Sequence, residues 1–490
     1  MLGRLARPLS IIVLGAGTAG LSAALALARE GHRVTLVERD EVVVNDPLDA
    51  LSWERRGISH FLQPHAFGPR GRKELRALLP DVYASLLDAG AWDLDVRPKI
   101  PGPLRPDDEE FAYLAARRPG IEWALRRAVL AASAIRTIGG VRATGLVGQR
   151  GAPLRVLGVE TAQGPIMGDL VIDAMGRRSP AQSWIESLGG QPMRERATDC
   201  GIIYYSRYYR VRPGATLPDG PWLPGPRGDL GYGAFSSFPG DNGTFAAVLG
   251  IPPGDRELKV LRNEPAFDAA LQLLPALFSW TNPDIAEPIT GVLPMGSLQN
   301  TIRASVDGGP AALGVISVAD AVCHTDPALA LGLSFSLIHA GALADAVRGS
   351  GSDVGHVAAA FDAATREEME ERFGFASAID DARSRLWAGE PVDFAHRNGA
   401  YSLFSLYAGS AVALVDPDVF RVVVRRNTLL DPLGVLDGDV PMQDTIEASF
   451  AALMAKPRPR PGPTREALLA AIAAAGGGSS GSPTLTGPAR

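Results

Sequence analysis

The sequence predicts an α/β fold that opens on a Rossmann-like strand–helix–strand unit, and three observations carry that prediction. Leu9 to Leu14 is a compact, largely apolar run ending on the glycine-rich turn Gly15-Ala16-Gly17-Thr18-Ala19-Gly20. Between Gly201 and Gly250 the pattern changes to aromatic and alternating residues separated by Pro/Gly-rich loops, as in an antiparallel sheet. The chain then returns to an apolar strand, Ala311 to Val318, followed by Asp320, so the opening unit is completed late and is discontinuous.

Taken in order, Leu9 to Leu14 suits a strand buried on both faces. Ala19 to Glu30 follows as a helix stopped by Gly31, and Val34 to Val37 is a second strand closing on Glu38, a βαβ unit. Gly71 to Ala89 predicts helices broken at Pro80, Ile121 to Ser133 a further helix, and Ile135 to Ala143 a short strand. Leu154 to Ala174 reads as a hairpin with arms Arg155 to Thr161 and Gly168 to Ala174 around Gln163-Gly164. Helices are expected at Leu333 to Val347, at Glu367 to Leu386 with one charged face, and at the Ala-rich Thr464 to Ala475. The stretch after Pro457 is expected to be mobile or weakly docked.

The glycine turn has the G-x-G-x-x-G spacing. Gly15 permits the tight turn, Gly17 lets backbone approach a diphosphate, and Gly20 lets helix and strand pack closely. The free N–H groups of the helix start at Thr18 and Ala19 are then aimed at the anion. Glu38 is placed to accept hydrogen bonds from ribose hydroxyls and disfavours a 2′-phosphate, with Arg39 beside it as a further candidate contact. These residues point to an adenine dinucleotide and leave FAD and NAD both open.

A chain of 490 residues is long enough for two packed units and a helical region. A composition of 46% hydrophobic and 21% charged residues argues against wholesale disorder. The net charge of −6 provides no basic field for nucleic acid, so a small molecule is the expected partner. Cys200 and Cys323 permit at most one disulfide and no zinc cluster of paired spacing, so no metal is expected and a reducing compartment fits. The run from Ile11 to Ala28 is interrupted by glycines and does not read as a signal segment, and no stretch has the length of a membrane span. The expected location is cytoplasmic.

Three later segments decide between the dinucleotides. Arg117-Arg118-Pro119-Gly120-Ile121-Glu122-Trp123 opens a helix, Asp173-Ala174-Met175-Gly176-Arg177-Arg178-Ser179 ends a strand, and Ala319-Asp320-Ala321 leads to Pro327 and Gly332. With the glycine turn, this ordered set resembles the FAD-dependent monooxygenases of the para-hydroxybenzoate hydroxylase type over about residues 9 to 350. The segment Arg56-Gly57-Ile58-Ser59-His60-Phe61-Leu62-Gln63-Pro64-His65, followed by Leu78-Leu79-Pro80-Asp81 and Ala89-Gly90-Ala91, is similar to one in the bacterial branch that includes polyether epoxidases.

The resemblance implies a discontinuous Rossmann-like FAD-binding domain (residues 9–190 and 296–350) and an inserted antiparallel β-sheet substrate domain (191–295). A C-terminal helical region (351–455) and a mobile tail (456–490) follow. It implies Asp320 on the ribityl chain of FAD, and beyond Pro327 the N–H groups of Gly332 and Leu333 at the flavin pyrimidine edge. Arg118 would lie beside the diphosphate or ribose, with Arg56 a further contact, and the strand containing Val141 would offer backbone groups to adenine. His60 and His65 would run close to the flavin, with His65 the candidate proton-transfer residue, and Tyr204, Tyr205, Tyr208 and Tyr209 are candidates to line a substrate cavity. The family usually has glycine where this chain has Ala319 and Ala330.

The implied activity is insertion of one oxygen atom from O2, by epoxidation or hydroxylation, into an apolar small-molecule substrate of the secondary-metabolite class through a flavin C4a-hydroperoxide. NAD(P)H or a partner flavin reductase would be the electron source. Two other readings stay open, an FAD-dependent reductase or desaturase of the geranylgeranyl reductase type and a non-redox protein using the fold as a cavity scaffold. Trp280-Thr281-Asn282-Pro283 does not reproduce the Trp-x-Trp-x-Ile-Pro signature of flavin halogenases, which disfavours halogenation.

Overall fold

A computed structural model of the chain describes residues 7–43, 46, 53, 55, 57–58, 60–65, 67–151, 153–220, 224–305, 311–350, 352–392, 397, 403–456 and 460–476. Its centre is a five-stranded parallel sheet in the order Val315–Ser317, Leu170–Asp173, Ser10–Leu14, Arg33–Val37, Ile135–Ile138. The middle strand is buried on both sides. Ile11 and Val13 enter the core beneath the helices, while Ile12 and Leu14 enter a second core under a small antiparallel sheet, the period-two alternation of a strand. The helices Thr18–Arg29, Arg118–Ala131 and Gly332–Ser350 cover the first face. The strands Ala143–Gln149, Arg155–Thr161 and Ile166–Met167 cover the other. The late strand Val315–Ser317 pairs with Leu170–Asp173, which makes the parallel domain discontinuous as expected.

Two local expectations change. The arms read as one hairpin separate: Arg155–Thr161 pairs with Ala143–Gln149 and with the short Ile166–Met167, whereas Leu170–Asp173 crosses into the parallel sheet. An apolar run records burial and not its partner. The strand expected to reach Ala143 ends at Ile138, where Gly139 and Gly140, the latter at φ +68°, turn the chain. Val141 is therefore in a connection, and its N–H donates to the Glu38 carbonyl at 3.0 Å.

The inserted segment is bracketed by Met193–Asp199 and Gln299–Ser305, paired antiparallel along their whole length. It carries an antiparallel sheet in the order Arg227–Asp229, Ala234–Pro239, Thr244–Ile251, Ile203–Val211, Ala286–Pro288, with Leu293–Met295 also paired to Ile203–Val211. Tyr205, Tyr209, Phe245 and Leu249 pack on the helices Glu264–Gln272 and Pro275–Thr281 behind the sheet, while Tyr204 and Val248 face the other way. The Ala-rich helix Arg465–Gly476 joins the core behind the sheet through buried Leu468 and Ile472. This part of the expected mobile tail is docked, because two apolar residues one turn apart give it a face to bury.

The C-terminal region is helical. Glu367 to Leu386 is the second half of a 34-residue helix, Val354–Trp387, whose start is capped by the Asp353 carboxylate accepting from the Gly355 and His356 N–H groups. The helices Leu403–Val412, Pro417–Asn427 and Val440–Met454 share a core with Val96, Ile100 and Phe111. No helix among the described residues is long and apolar enough to cross a membrane.

Candidate active site

The strands of the parallel sheet deliver their carboxyl ends, Leu14, Val37, Ala174 and Val318, to one cavity of about 1020 Å³. Crevices at this edge are where open α/β sheets bind ligands. The far wall comes from the inserted sheet and its return, through Phe238 and Pro294 to Leu298.

At the near end, Gly15 has φ +98°, and a Cβ there would stand 2.7 Å from the Ala174 carbonyl oxygen. A Cβ on Gly20 would lie 1.8 Å from the Gly15 oxygen, so both glycines are required by packing. A Cβ on Gly17 would meet nothing closer than Ile58 at 3.8 Å and Arg118 at 3.9 Å, because this glycine faces the cavity. The helix beginning at Thr18 has no side-chain cap, and the buried Thr18 hydroxyl has no partner among the described residues. Free N–H groups, an orphaned hydroxyl and a bare glycine form a cradle that fits a diphosphate.

Glu38 lines the same end but is already engaged. Its Oε2 accepts the Ala16 N–H at 2.5 Å and approaches Arg55 at 3.4 Å, and its Oε1 accepts the Asp40 N–H at 3.0 Å. A ribose there would share these oxygens. Arg39 lies over Gly57 and lines the cavity with Arg142, Arg177 and Arg178. Arg56 lies outside the described residues. Its neighbour Arg55, not singled out from the sequence, is buried and pairs with Glu122 at 2.8 Å, Asp40 at 3.2 Å and Glu38.

Arg118 opens its helix in the cavity wall, donating to Glu122 at 3.0 Å and to His65 Nε2 at 3.3 Å. His65 Nδ1 donates to the Gln63 carbonyl at 2.7 Å, so both ring nitrogens are used. Burial, with help from Arg118, pushes His65 down to about 3, which keeps it neutral. His65 therefore holds Arg118 and is not the free acid or base expected of it. His60 stacks on it at 5.7 Å and lines the cavity, and its ring has no hydrogen-bond partner among the described residues. Burial first, then Arg118 and His65, hold His60 well below the ordinary histidine range.

Asp320 occupies the short turn after Val315–Ser317 and lines the cavity. Burial alone would push its carboxyl up, but His324, with Nδ1 at 3.5 Å, together with His60 and Arg118, pulls it below the usual carboxylate range. Gly332 begins the helix facing it, close enough that a Cβ there would lie 3.6 Å from Asp320 Oδ1. Pro327 and Leu333 also line the cavity. Ala319 and Ala330, where the resembling family has glycine, hold left-handed backbone at φ +49° and φ +54°. The Ala319 N–H donates to Nδ1 of buried His339 at 2.8 Å, which anchors the strained turn. Burial pushes His339 down to about 4, so this nitrogen is an acceptor at neutral pH.

The middle motif divides its labour. Asp173 accepts from the Met175 N–H and the hydroxyls of Ser179 and Ser317, holding the turn, while Ala174, Met175 and Gly176 reach the cavity. None of the four tyrosines lines it. Tyr205 and Tyr209 pack behind the sheet, Tyr204 donates to Asp326 at 2.7 Å, and Tyr208 is buried near Arg117 and Asp241. The wall is made instead by Phe238, Pro294, Met295, Leu298, Leu331 and Phe335. Of the polar cavity residues that sequence reading missed, His324 had a signal in its spacing of four from Asp320; Gln63, donating to the Leu293 carbonyl, had none. Cys200 and Cys323 are both free and buried. Cys200, Asp326 and Asp380 come together, but the Arg383 guanidinium takes the place of a cation there, so the group is an ion-pair core and not a metal centre.

Residues 10–46 match the model of the FAD dependent oxidoreductase family. Protein Rv3254 of Mycobacterium tuberculosis is 26% identical over 462 residues, covering 88% of this chain and 92% of that protein. Among solved structures, the probable FAD-dependent monooxygenase pqsL of Pseudomonas aeruginosa aligns with a TM-score of 0.55 at 15% identity, over 78% of this chain and 99% of its own. The flavin-dependent brominase Bmp2 aligns at 0.57 and 15% identity, over 92% of this chain and all of its own. The tetrameric form of 2-methyl-3-hydroxypyridine-5-carboxylic acid oxygenase aligns at 0.54 and 16%, over 85% and 98%. The architecture is thus the fold of the para-hydroxybenzoate hydroxylase type.

Proposed function

We propose that this chain is an FAD-dependent monooxygenase that adds one atom of O2 to an apolar small molecule, and one observation carries the reading. A single cavity runs from a diphosphate cradle at Gly15 to Ala19 to an apolar wall supplied by the inserted sheet. When bound, FAD supplies the redox and oxygen-activating chemistry. The chain's residues do the rest. The start of the first helix holds the diphosphate, and the N–H groups of Gly332 and Leu333, at the positive end of a 19-residue helix, stabilise negative charge at the flavin ring. Asp320 is kept anionic as an acceptor for the ribityl hydroxyls, and His60 is the ring left to meet a ligand once His65 is committed to Arg118.

Phe238, Met295, Leu298, Leu331 and Phe335 exclude water and select an apolar substrate. Epoxidation needs no acid or base, which suits a wall without a polar pair; hydroxylation of an activated ring would draw on His60. The resemblance of the segment around His60 and His65 to one in the polyether epoxidase branch favours the former and a secondary-metabolite substrate. Electrons come from NAD(P)H or from a partner flavin reductase.

The test is direct. The purified protein is expected to show an oxidised flavin spectrum, to be reduced by NADH, NADPH or a reductase, and to place ¹⁸O from ¹⁸O₂ in product. Reduced flavin that is stable in air and hydrogenates the substrate would replace this reading by the reductase one. Protein that takes up no FAD would leave the cavity-scaffold reading.

A further inference from the structure

A buried polar cluster beside the cavity loop has no part in the chemistry above. Asp326, the residue before Pro327, accepts at Oδ1 from the Tyr204 hydroxyl at 2.7 Å and the Ala328 N–H at 3.0 Å, and at Oδ2 from Arg383 at 2.9 Å. Its own N–H donates to Asn300 Oδ1 at 2.7 Å. Asp380, on the long helix, accepts from the Asn300 amide and from Arg383, each at 2.7 Å. The side chains of Asp326 and Asp380 are 1% and 2% exposed. One guanidinium nitrogen, Arg383 Nη2, serves both carboxyl groups, and Arg383 Nε has no partner among the described residues.

Two buried carboxylates around one guanidinium would leave a negative charge uncompensated, which is costly away from water. Keeping one proton in the pair removes it. Asp326 already collects three donors from three elements, and the proton falls to Asp380. Burial, followed by the charge of Asp326, pushes the Asp380 carboxyl up to about 8. The other titratable or charged groups facing the cluster are Cys200, whose thiol burial pushes up, Tyr204, Arg383, Tyr407 of helix Leu403–Val412, and Asp229 of the inserted sheet.

We propose that Asp380 carries a proton against Asp326 and thereby fixes the cavity loop Pro327–Gly332, which makes Asp380 a positioning residue for the ligand this loop faces. The proposal rests on the reading that the loop and the helix start after it hold the flavin. Asp326 is the anchor of that loop: its carboxylate caps the turn Pro327–Leu329, and the turn leads through left-handed Ala330 to Gly332. Loss of the Asp380 proton sets a like charge against the anchor, and the cap contact to Ala328 weakens.

The experiment follows wild type and Asp380→Asn, which mimics the protonated carboxyl, from neutral pH to about pH 9.5. In wild type without FAD, the infrared carbonyl band of a protonated buried carboxyl is expected near neutral pH and should titrate away, with amide exchange at residues 328–333 rising alongside. At each pH, Asp380→Asn should lack the band and keep its exchange flat relative to wild type. FAD affinity of wild type should fall about tenfold by about pH 9, the loss that one proton released near 8 produces, and that of the variant should not. A band absent from wild type, or unchanged in the variant, overturns the proton assignment. A band that titrates while exchange in the loop does not respond overturns the coupling to the loop. Neither readout needs FAD, so a protein that binds no FAD at any pH defeats the monooxygenase reading while the carboxyl pair is still judged. Should Asp380→Asn not fold, the wild-type band and exchange titrations decide alone.

Discussion

Single residues in this cavity are recognised by what a change would do to them. Gly17 faces the cavity with only van der Waals neighbours, so Gly17→Glu is expected to fold normally by circular dichroism and to lose bound flavin absorbance, because its carboxylate occupies the diphosphate cradle. Gly15→Ala should instead unfold at lower temperature, since its Cβ meets the Ala174 carbonyl at 2.7 Å in left-handed backbone. Ala330 poses the converse case. Left-handed backbone costs an alanine about 1–2 kcal/mol, partly offset by the greater freedom of glycine in the unfolded chain. Ala330→Gly should therefore raise the urea midpoint slightly, and no rise would mean the turn relaxes without cost. His339 holds the Ala319 amide, and His339→Leu leaves a buried donor unpaired, a loss of about 1–3 kcal/mol in denaturant unfolding. The sign of its pH effect follows from the depressed value of about 4. The unfolded chain binds the proton first, so this contribution is complete above the ordinary histidine range and is lost as pH falls from there to about 4. The Leu variant should lose less stability over that acid interval than wild type.

Elements here owe their place to a buried face more than to length. The helix Arg465–Gly476 is composed mainly of alanine and follows a Pro-rich stretch, and composition alone gives no reason for it to dock. Leu468 and Ile472 supply the reason by entering the core behind the inserted sheet. Leu468→Asp should destabilise the protein by about 1.5–3 kcal/mol, the value of burying such a side chain, read as a lower unfolding midpoint. An unchanged midpoint would show that the helix contributes nothing to the sheet. The hairpin expected from Leu154 to Ala174 is cut short at Ile166–Met167 for a related reason. Both arms are apolar and the turn is real, but Leu170–Asp173 has two parallel neighbours waiting for it, Ser10–Leu14 and Val315–Ser317. Pairing on both edges satisfies more backbone groups than one hairpin contact can.

At the scale of the molecule, the cavity is assembled from segments hundreds of residues apart, the first βαβ unit, the inserted sheet and the loop leading to Gly332. A ligand that bridges them should stabilise all three together. FAD at about one hundred times its dissociation constant is expected to add about 2.7 kcal/mol to unfolding, seen as one cooperative shift of the thermal transition. Two transitions, with only the first shifted, would show that the inserted sheet does not share the site.

The opening βαβ unit, the glycine turn and the late apolar strand were legible in the sequence because each is a local pattern with a local physical cause, whereas Asp320 was singled out by a family resemblance. A glycine is required where a Cβ would strike a carbonyl, and an apolar run is required where a strand is buried on both faces. Tertiary structure alone decided that His65 is spent on Arg118, that the tyrosines turn away from the cavity, that Val141 lies outside any strand, and that Asp326, Asp380 and Arg383 meet. Those outcomes depend on which distant side chain arrives with a free donor or acceptor. Periodicity records that a residue is buried, and only packing determines what it is buried against.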